Sequence, residues 1–253
     1  MNSEHSTSLA EQRVADRGIE RYELEAWHTQ FGIVAGITGR GFDLGLASQR
    51  STGEVLERWQ RLQTDAFPQF PSIVVSRQIH GTRIARYAPL PPGILIGDGW
   101  DGHVTRVPGQ LLAVTVADCA PIYLVDRGSR AIGLLHAGWK GIAAGIIEHG
   151  IETLCDVAQC SSRDIVIHCG TSICGSCYEV GPEVLGAVLG RPAAAKGLLD
   201  LRSAIANRAW ATGVREITVS QWCTVHHGDR FESHRGSAGH AGRMVAFVGR
   251  LPS

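Results

Sequence analysis

Apolar residues recur along this chain in two rhythms: short runs that fit strands, and longer stretches spaced by three and four that fit helices. "GIVAGITGRGFDLGL" (32–46) reads as a strand running into a glycine-rich loop that exposes Arg40, and "TGEVLERWQRLQTDAF" follows at helical spacing behind a cap at Thr52. "PSIVVSRQIHGTRIARY" is strand-like but interrupted at His80 and Gly81, whereas "DGWDGHVTRVPGQ" has no period and reads as a loop. The runs "LLAVTVAD" and "IYLVD" flank Cys119 and Pro121; after "RGSR" come "AIGLLHAG" and then "WKGIAAGIIEHGIETLCDVA" at helical spacing. That order predicts strand, strand, turn, strand, helix. Further on, "DIVIHCG", "EITVS" and "GRMVAFVGRL" read as strands, and "GPEVLGAVLG" and "SAIANRAWATGV" as helices.

Alternation of strands and helices argues an α/β fold, and the hairpin and closing strands argue that the sheet is mixed. Residues 1–21 are polar and aperiodic and read as a flexible N-terminal tail. No repeat or low-complexity linker divides the rest, so 22–253 is expected to form a single domain.

Composition narrows the function. The 253 residues are 44% hydrophobic, enough for an ordinary core, and 24 basic residues balance 24 acidic ones without a long like-charge run. Nothing calls for nucleic acid or an anionic membrane, and a small-molecule ligand is expected. The N-terminus lacks the apolar centre of a signal peptide and no window approaches a membrane span, so a cytoplasmic location is expected. Seven cysteines, an odd number in a reducing compartment, favour thiols and metal ligands over disulfides.

The hairpin carries the chemistry. A two-residue turn at Arg127 and Gly128 places Cys119 opposite His136, with Cβ atoms roughly 5 to 8 Å apart. That separation suits two ligands of one metal, or a nucleophile and its base. "HG" at 80–81 repeats the pattern of "HAG" at 136–138 on another strand-to-loop boundary, so His80 is a third candidate ligand. A His, Cys, His set leaves one corner of a tetrahedral zinc open for water or substrate, as catalytic sites do. Copper also accepts two His and one Cys, but its blue-copper arrangement draws on a weak axial ligand, commonly Met, and the methionines here are Met1 and Met244. Zinc is therefore the expected metal, with copper a substitute. Cys174 and Cys177 form a Cys-x-x-Cys, yet no second pair has that spacing, and they read as buried free thiols.

"RQIHG", "GWDGHVT", "PGQLLAVTVADCAPIYLVD", "HAGWKG", "SICGSCYEVG" and "HRGSAGHAGRM" occur in the order found in the laccase-domain family, and from about residue 24 to 251 the chain resembles that family, also called multicopper polyphenol oxidoreductase and including purine nucleoside phosphorylases. The resemblance implies two stacked mixed sheets covered by helices, with one zinc on His80, Cys119 and His136. It also implies phosphorolysis of adenosine, guanosine, inosine or methylthioadenosine, deamination of adenosine, and in some members editing of peptidoglycan precursors. Lys140 stands where Arg is usual after "HAGW", Asp43 where Asn is frequent, "LERWQRL" lacks an Asn-Arg pair, and His234 replaces a Tyr before Arg235. These departures surround the expected substrate region and leave the metal set intact.

Phosphorolysis needs an anion site, a proton donor for the departing base and a Lewis acid. Arg40 and Lys140 are the phosphate candidates; Asp118, beside Cys119, is the candidate acid or orienting group, with Cys119 and His136 as the catalytic core. An alternative without metal makes Cys119 a nucleophile and His136 its base in an amide hydrolase or deamidase. Copper polyphenol oxidation is the weaker reading, because 11 His without any His-x-His pair do not make a multicopper cluster.

Overall fold

The computed structural model describes residues 4–16, 18–46, 51–128 and 130–252. In chain order the first elements are β1 (Thr7–Leu9), β2 (Gln12–Asp16), β3 (Ile19–Glu23), α1 (Glu25–Phe31), β4 (Ile33–Thr38) and α2 (Thr52–Arg61). Then come β5 (Ser72–Arg77), β6 (Ile84–Tyr87), β7 (Gly93–Asp98), β8 (Gly102–Thr105), β9 (Gln110–Val116), β10 (Ala120–Asp126) and β11 (Ile132–Ala137). The remainder is α3 (Trp139–Ala144), α4 (Ile146–Ala158), β12 (Ile165–Cys169), β13 (Glu179–Val180), α5 (Pro182–Leu189), β14 (Gly197–Leu198), α6 (Leu201–Ala211), β15 (Glu216–Ser220) and β16 (Met244–Arg250).

Two mixed seven-stranded sheets result, ordered β1-β15-β12-β10-β11-β8-β6 and β2-β3-β4-β16-β9-β5-β7. Their facing sides share one core, in which Val74, Leu112 and Val114 of one sheet meet Tyr123, Val125 and Leu134 of the other. The Tyr123 hydroxyl crosses that core to donate to the Gly36 carbonyl at 2.7 Å, which satisfies a polar group that burial would otherwise penalise. α4, α5 and α6 cover the outer face of the first sheet through Ile147, Leu154, Leu185 and Ile205, and α2 covers the second through Val55 and Trp59. This is the stacked, helix-covered α/β domain expected from the resemblance. Among the described residues no helix is long and apolar enough to cross a membrane.

Local chemistry revises several expectations. The cap of α2 is Ser51, not Thr52: its hydroxyl accepts the Glu54 N–H at 3.3 Å while the Glu54 carboxylate accepts the Ser51 N–H at 3.0 Å, a reciprocal capping box. The long helix expected after His136 is broken into α3 and α4 at Gly145, whose φ of 94° a side-chain-bearing residue rarely adopts. "GWDGHVT", read as a loop, contains β8.

The expected N-terminal tail is instead built into both sheets, β1 pairing with β15 at one edge and β2 with β3 at an edge of the other. Edge strands tolerate polar residues, which is why no apolar rhythm marks them. Glu11 sits where the chain passes between the sheets and is 2% exposed. Its carboxylate accepts from Ser220 Oγ at 2.6 Å, Thr171 N at 3.2 Å and Thr171 Oγ at 3.1 Å, and lies 3.3 Å from His168 Nε2. Burial pushes the carboxyl up, but the hydrogen bond and charge of His168, with help from Ser220, hold it below the usual value. Because the folded value is depressed, the stabilisation is present above the unfolded value near about 4.3 and is lost as pH falls below it. Glu11→Ala is expected to cost about 3 to 5 kcal/mol in urea unfolding at neutral pH, since it strands buried donors. The same titration repeated in acid should show the gap between variant and parent closing; a gap unchanged by acid would refute this account.

Candidate metal centre

The chain crosses from the second sheet to the first three times, and two of these crossings carry a candidate ligand. One lies between β5 and β6, at His80; the other lies between β9 and β10, at Asp118 and Cys119. His80 and Asp118 both have positive φ, 59° and 84°, so both crossings are sharp turns that non-glycine residues adopt only when the surroundings hold them. Gln78 pins the first crossing, its side-chain amide donating to the Thr115 carbonyl and accepting the Thr115 N–H, both at 2.8 Å.

His136 arrives from the end of β11. Ala120 pairs with Ala137 and Pro121 with His136, a register two residues away from the one a two-residue turn imposes. The turn is wider because the buried Asp126 carboxylate accepts the N–H groups of Gly128, Arg130 and Ala131 at 3.1, 2.7 and 2.7 Å. A shift by an even number leaves side chains on the face they had, so the two groups still meet. One nitrogen each of His80 and His136 and the Cys119 sulfur lie within 4.8 Å of one another, and the set could hold a metal ion.

Asp101, in the segment read as a loop, organises all of this and escaped the sequence reading. Its carboxylate, completely buried, accepts the backbone N–H groups of Ile79, His80 and Gly81 at 3.1, 2.9 and 2.8 Å, and its Oδ1 lies 2.9 Å from His136 Nδ1. Its own carbonyl accepts the His136 N–H at 2.7 Å. Burial raises the Asp101 carboxyl, but His136 and the Gly81 N–H outweigh that and keep it below the ordinary range, so it is a carboxylate. The imidazole therefore carries its proton on Nδ1 toward Asp101 and turns Nε2 toward Cys119.

Burial works against the Cys119 thiolate, yet the charge and hydrogen bond of His136, followed by His80, bring the thiol down to about 6. Burial likewise lowers His136, and Cys119 and Asp101 reverse this, taking it up to about 9. The residues by themselves thus favour a thiolate beside an imidazolium, and a divalent cation binding there displaces the imidazolium proton. Gly138 closes the space behind the pair: a Cβ at that position would stand 3.0 Å from both Cys119 Sγ and His80 Cδ2.

The other candidates fall at different distances from this centre. Asp118 is 9% exposed and both carboxylate oxygens are taken, Oδ1 by Thr224 Oγ at 2.5 Å and Ser233 Oγ at 2.7 Å, Oδ2 by Arg235 N at 2.7 Å. It clamps the 224–235 loop against Cys119. Arg40 is not brought into this cluster by any hydrogen bond or ion pair among the described residues: its guanidinium donates to the Gly228 carbonyl and lies 3.8 Å from Glu232. Lys140, exposed on the first turn of α3, rests 5.6 Å from the Trp139 ring centroid and makes no ion pair among the described residues. Tyr178 was not singled out in the sequence. Arg235 packs over its ring at 5.2 Å, and burial, followed by the nearby Cys119, raises its phenol.

Cys174 and Cys177 are not buried isolated thiols. Together with Cys223 and His226 they form a second group able to hold a metal, every ligand atom again within 4.8 Å of the others. The missing pair was a Cys-x-x-His, "CTVH", rather than a second Cys-x-x-Cys.

Known proteins of similar sequence and shape agree with this architecture. Purine nucleoside phosphorylase YlmD of Geobacillus stearothermophilus is 32% identical over 251 residues, 87% of this chain and 90% of the relative. Adenosine deaminase RL5, from an unknown prokaryotic organism, is 34% identical over 199 residues, 70% of this chain and 75% of the relative. The crystal structure of YlmD from Geobacillus stearothermophilus superposes with a TM-score of 0.83 at 29% identity, covering 96% of this chain and all of that one. Residues 27–251 match the family described as "Multi-copper polyphenol oxidoreductase laccase". With nearly the whole chain matched in sequence and in shape, it belongs to the multi-copper polyphenol oxidoreductase laccase family.

Proposed function

We propose that this chain is a cytoplasmic, zinc-dependent purine nucleoside phosphorylase that takes a nucleoside and inorganic phosphate, and that adenosine deamination is a second reaction of the same site. The observation that carries the reading is the convergence of His80, Cys119 and His136, fixed through Asp101. The names of the relatives support the substrate class. The donor set fits zinc: one thiolate and two imidazoles make the three-ligand arrangement that leaves a fourth corner for reactants. It fits blue copper poorly, since the Met244 sulfur is buried elsewhere, 3.2 Å from the Glu232 N–H it accepts, and cannot serve as the axial ligand.

Zinc bound there supplies a Lewis acid that stabilises charge developing on the reactants. Asp101 keeps the His136 proton on Nδ1 and holds the His80 turn in place. Cys119 contributes its thiolate at the pH at which cells work. Asp118, with both oxygens engaged, is a positioning group that holds Thr224, Ser233 and Arg235 beside the sulfur, not a free proton donor. Lys140 is the better phosphate candidate, because the Arg40 guanidinium is already held by Gly228 and Glu232. The departures at Lys140, Asp43 and His234 bear on which purine is preferred.

The test is product identification from adenosine with the zinc-loaded protein. Adenine plus ribose 1-phosphate, formed only when phosphate is present, is the expected result; inosine reports the deaminase arm; neither product contradicts the reading. One observation favours a rival, the Cys119 thiol brought down to about 6 beside His136, which is how a nucleophilic dyad is prepared. Amide hydrolysis that survives complete zinc removal would establish that rival.

Gly138→Ala offers a finer check. Its Cβ would press on two ligands at 3.0 Å, a misfit worth about 1 to 3 kcal/mol. Zinc affinity, measured by competition with a chelator, is expected to fall about 5- to 150-fold while thermal stability changes little. Unchanged affinity would mean the ligands retreat without loss.

A further inference from the structure

The second cysteine cluster lies outside the proposed catalytic centre, and no step of the proposed reaction uses it. Cys174 and Cys177 occupy a tight turn closed by the Cys177 N–H donating to the Cys174 carbonyl at 3.0 Å. Gly175 within it passes so close to Asp200 that a Cβ would come within 2.8 Å of the aspartate Cβ, which presses the turn against the start of α6. Cys223 and His226 sit on a second turn, where the His227 N–H donates to the Cys223 carbonyl at 2.9 Å. The two turns are 49 residues apart in sequence between Cys177 and His226 and are bridged at Ser172 and Cys223.

The His226 ring stands between two sulfurs, Nε2 at 3.1 Å from Cys177 and Nδ1 at 3.8 Å from Cys174, and the Cys174 N–H donates to the Cys223 sulfur at 3.4 Å. None of the three thiols is in a disulfide. Tetrahedral zinc with bonds of about 2.3 Å to sulfur and 2.0 Å to nitrogen sets its ligands about 3.5 to 3.8 Å apart. Four donors within 4.8 Å of one another enclose one such ion after small side-chain adjustments. Three thiolates and an imidazole are also the soft, four-fold set that closes a zinc ion off from reactants.

We infer that Cys174, Cys177, Cys223 and His226 form a second, closed zinc site whose work is structural. What it holds is the segment that packs on Asp118, beside Cys119. Thr224, inside the Cys-x-x-His, donates to Asp118, and Tyr178, the residue after Cys177, lies under Arg235, whose N–H reaches the same Asp118. An ion here staples both turns to each other and, through Asp118, to the segment carrying Cys119. The inference does not depend on which reaction the protein catalyses.

Metal analysis of the full chain purified with zinc is expected to give two zinc ions per chain. Cys174→Ser/Cys177→Ser should lose one and keep the other, and His80→Ala/His136→Ala should do the same from the opposite side. Should the cysteine variant fail to fold, the parent protein answers by itself. With zinc bound, Cys174, Cys177 and Cys223 should resist alkylation, as peptide mapping reads it, and a chelator should expose them. In cobalt-loaded His80→Ala/His136→Ala protein, the intense sulfur-to-cobalt absorption of a three-thiolate centre is expected. One zinc per chain in the parent, lost only with His80 and His136, overturns the inference. So do thiols that react equally fast with and without the chelator, or that map as a Cys174–Cys177 disulfide.

Discussion

On the proposed function, His80→Ala is expected to reduce phosphorolysis on the order of 10³-fold and to abolish zinc binding at the triad, although His80 is the exposed member of the set. Losing one of three ligands removes the Lewis acid, whose stabilisation of developing charge is worth several kcal/mol, and each 1.36 kcal/mol or so is tenfold in rate. His80 is neither nucleophile nor base in a Cys119–His136 dyad and only adds to what His136 does to stabilise the thiolate. The same variant therefore separates the metal reading from the nucleophile reading: near-normal turnover in it, with no zinc at the triad, would sink the first and leave the second. The substitution is a fair probe because the ring is exposed and the turn is held by backbone N–H groups on Asp101, so circular dichroism and thermal unfolding should change little.

Asp101→Asn has the next largest effect, and on two observables at once. A carboxylate that orients a ligand histidine typically contributes 10- to 100-fold to metal affinity, and a loss of about that size is expected in a chelator competition assay. The amide cannot accept with both ends, so one end must turn an N–H₂ toward Ile79 and Gly81 or toward His136, leaving buried donors face to face. That is expected to cost about 1 to 3 kcal/mol in denaturant unfolding. A variant that loses affinity without losing stability would show that Asp101 serves the imidazole alone; one that loses neither would contradict the role assigned to it.

Much of the fold was legible because apolar runs declare buried strands. Ile33–Thr38, Ser72–Arg77, Gln110–Val116, Ala120–Asp126, Ile132–Ala137 and Met244–Arg250 all lie where uninterrupted apolar patterning put them. What patterning does not reveal is which sheet a strand joins. "PSIVVSRQIHGTRIARY" looks like one interrupted strand, yet its halves belong to different sheets, and the interruption at His80 is the crossing. The edge strands β1 and β2 were hidden because their order rests on a polar anchor, Glu11, that carries no period.

At the candidate site the convergence of His80, Cys119 and His136 was legible, and its support was not. Cys119 and His136 could be paired from the hairpin even with the turn misjudged, because the error of two residues preserved the face. Asp101 gave no signal beyond an aspartate between Trp100 and Gly102, since its work is done largely on backbone N–H groups that any sequence possesses. Asp118 was noticed for its place beside Cys119, but that it has no free oxygen follows only from Thr224, Ser233 and Arg235 folding back onto it from more than a hundred residues away.

The account rests on one ion gripped by His80, Cys119 and His136, and diffraction from zinc-loaded crystals on either side of the zinc absorption edge tests that most directly. An anomalous peak about 2.3 Å from the Cys119 sulfur and about 2.0 Å from a nitrogen of each histidine is predicted. No peak between these three side chains, in crystals grown from protein that still releases adenine from adenosine, would contradict it.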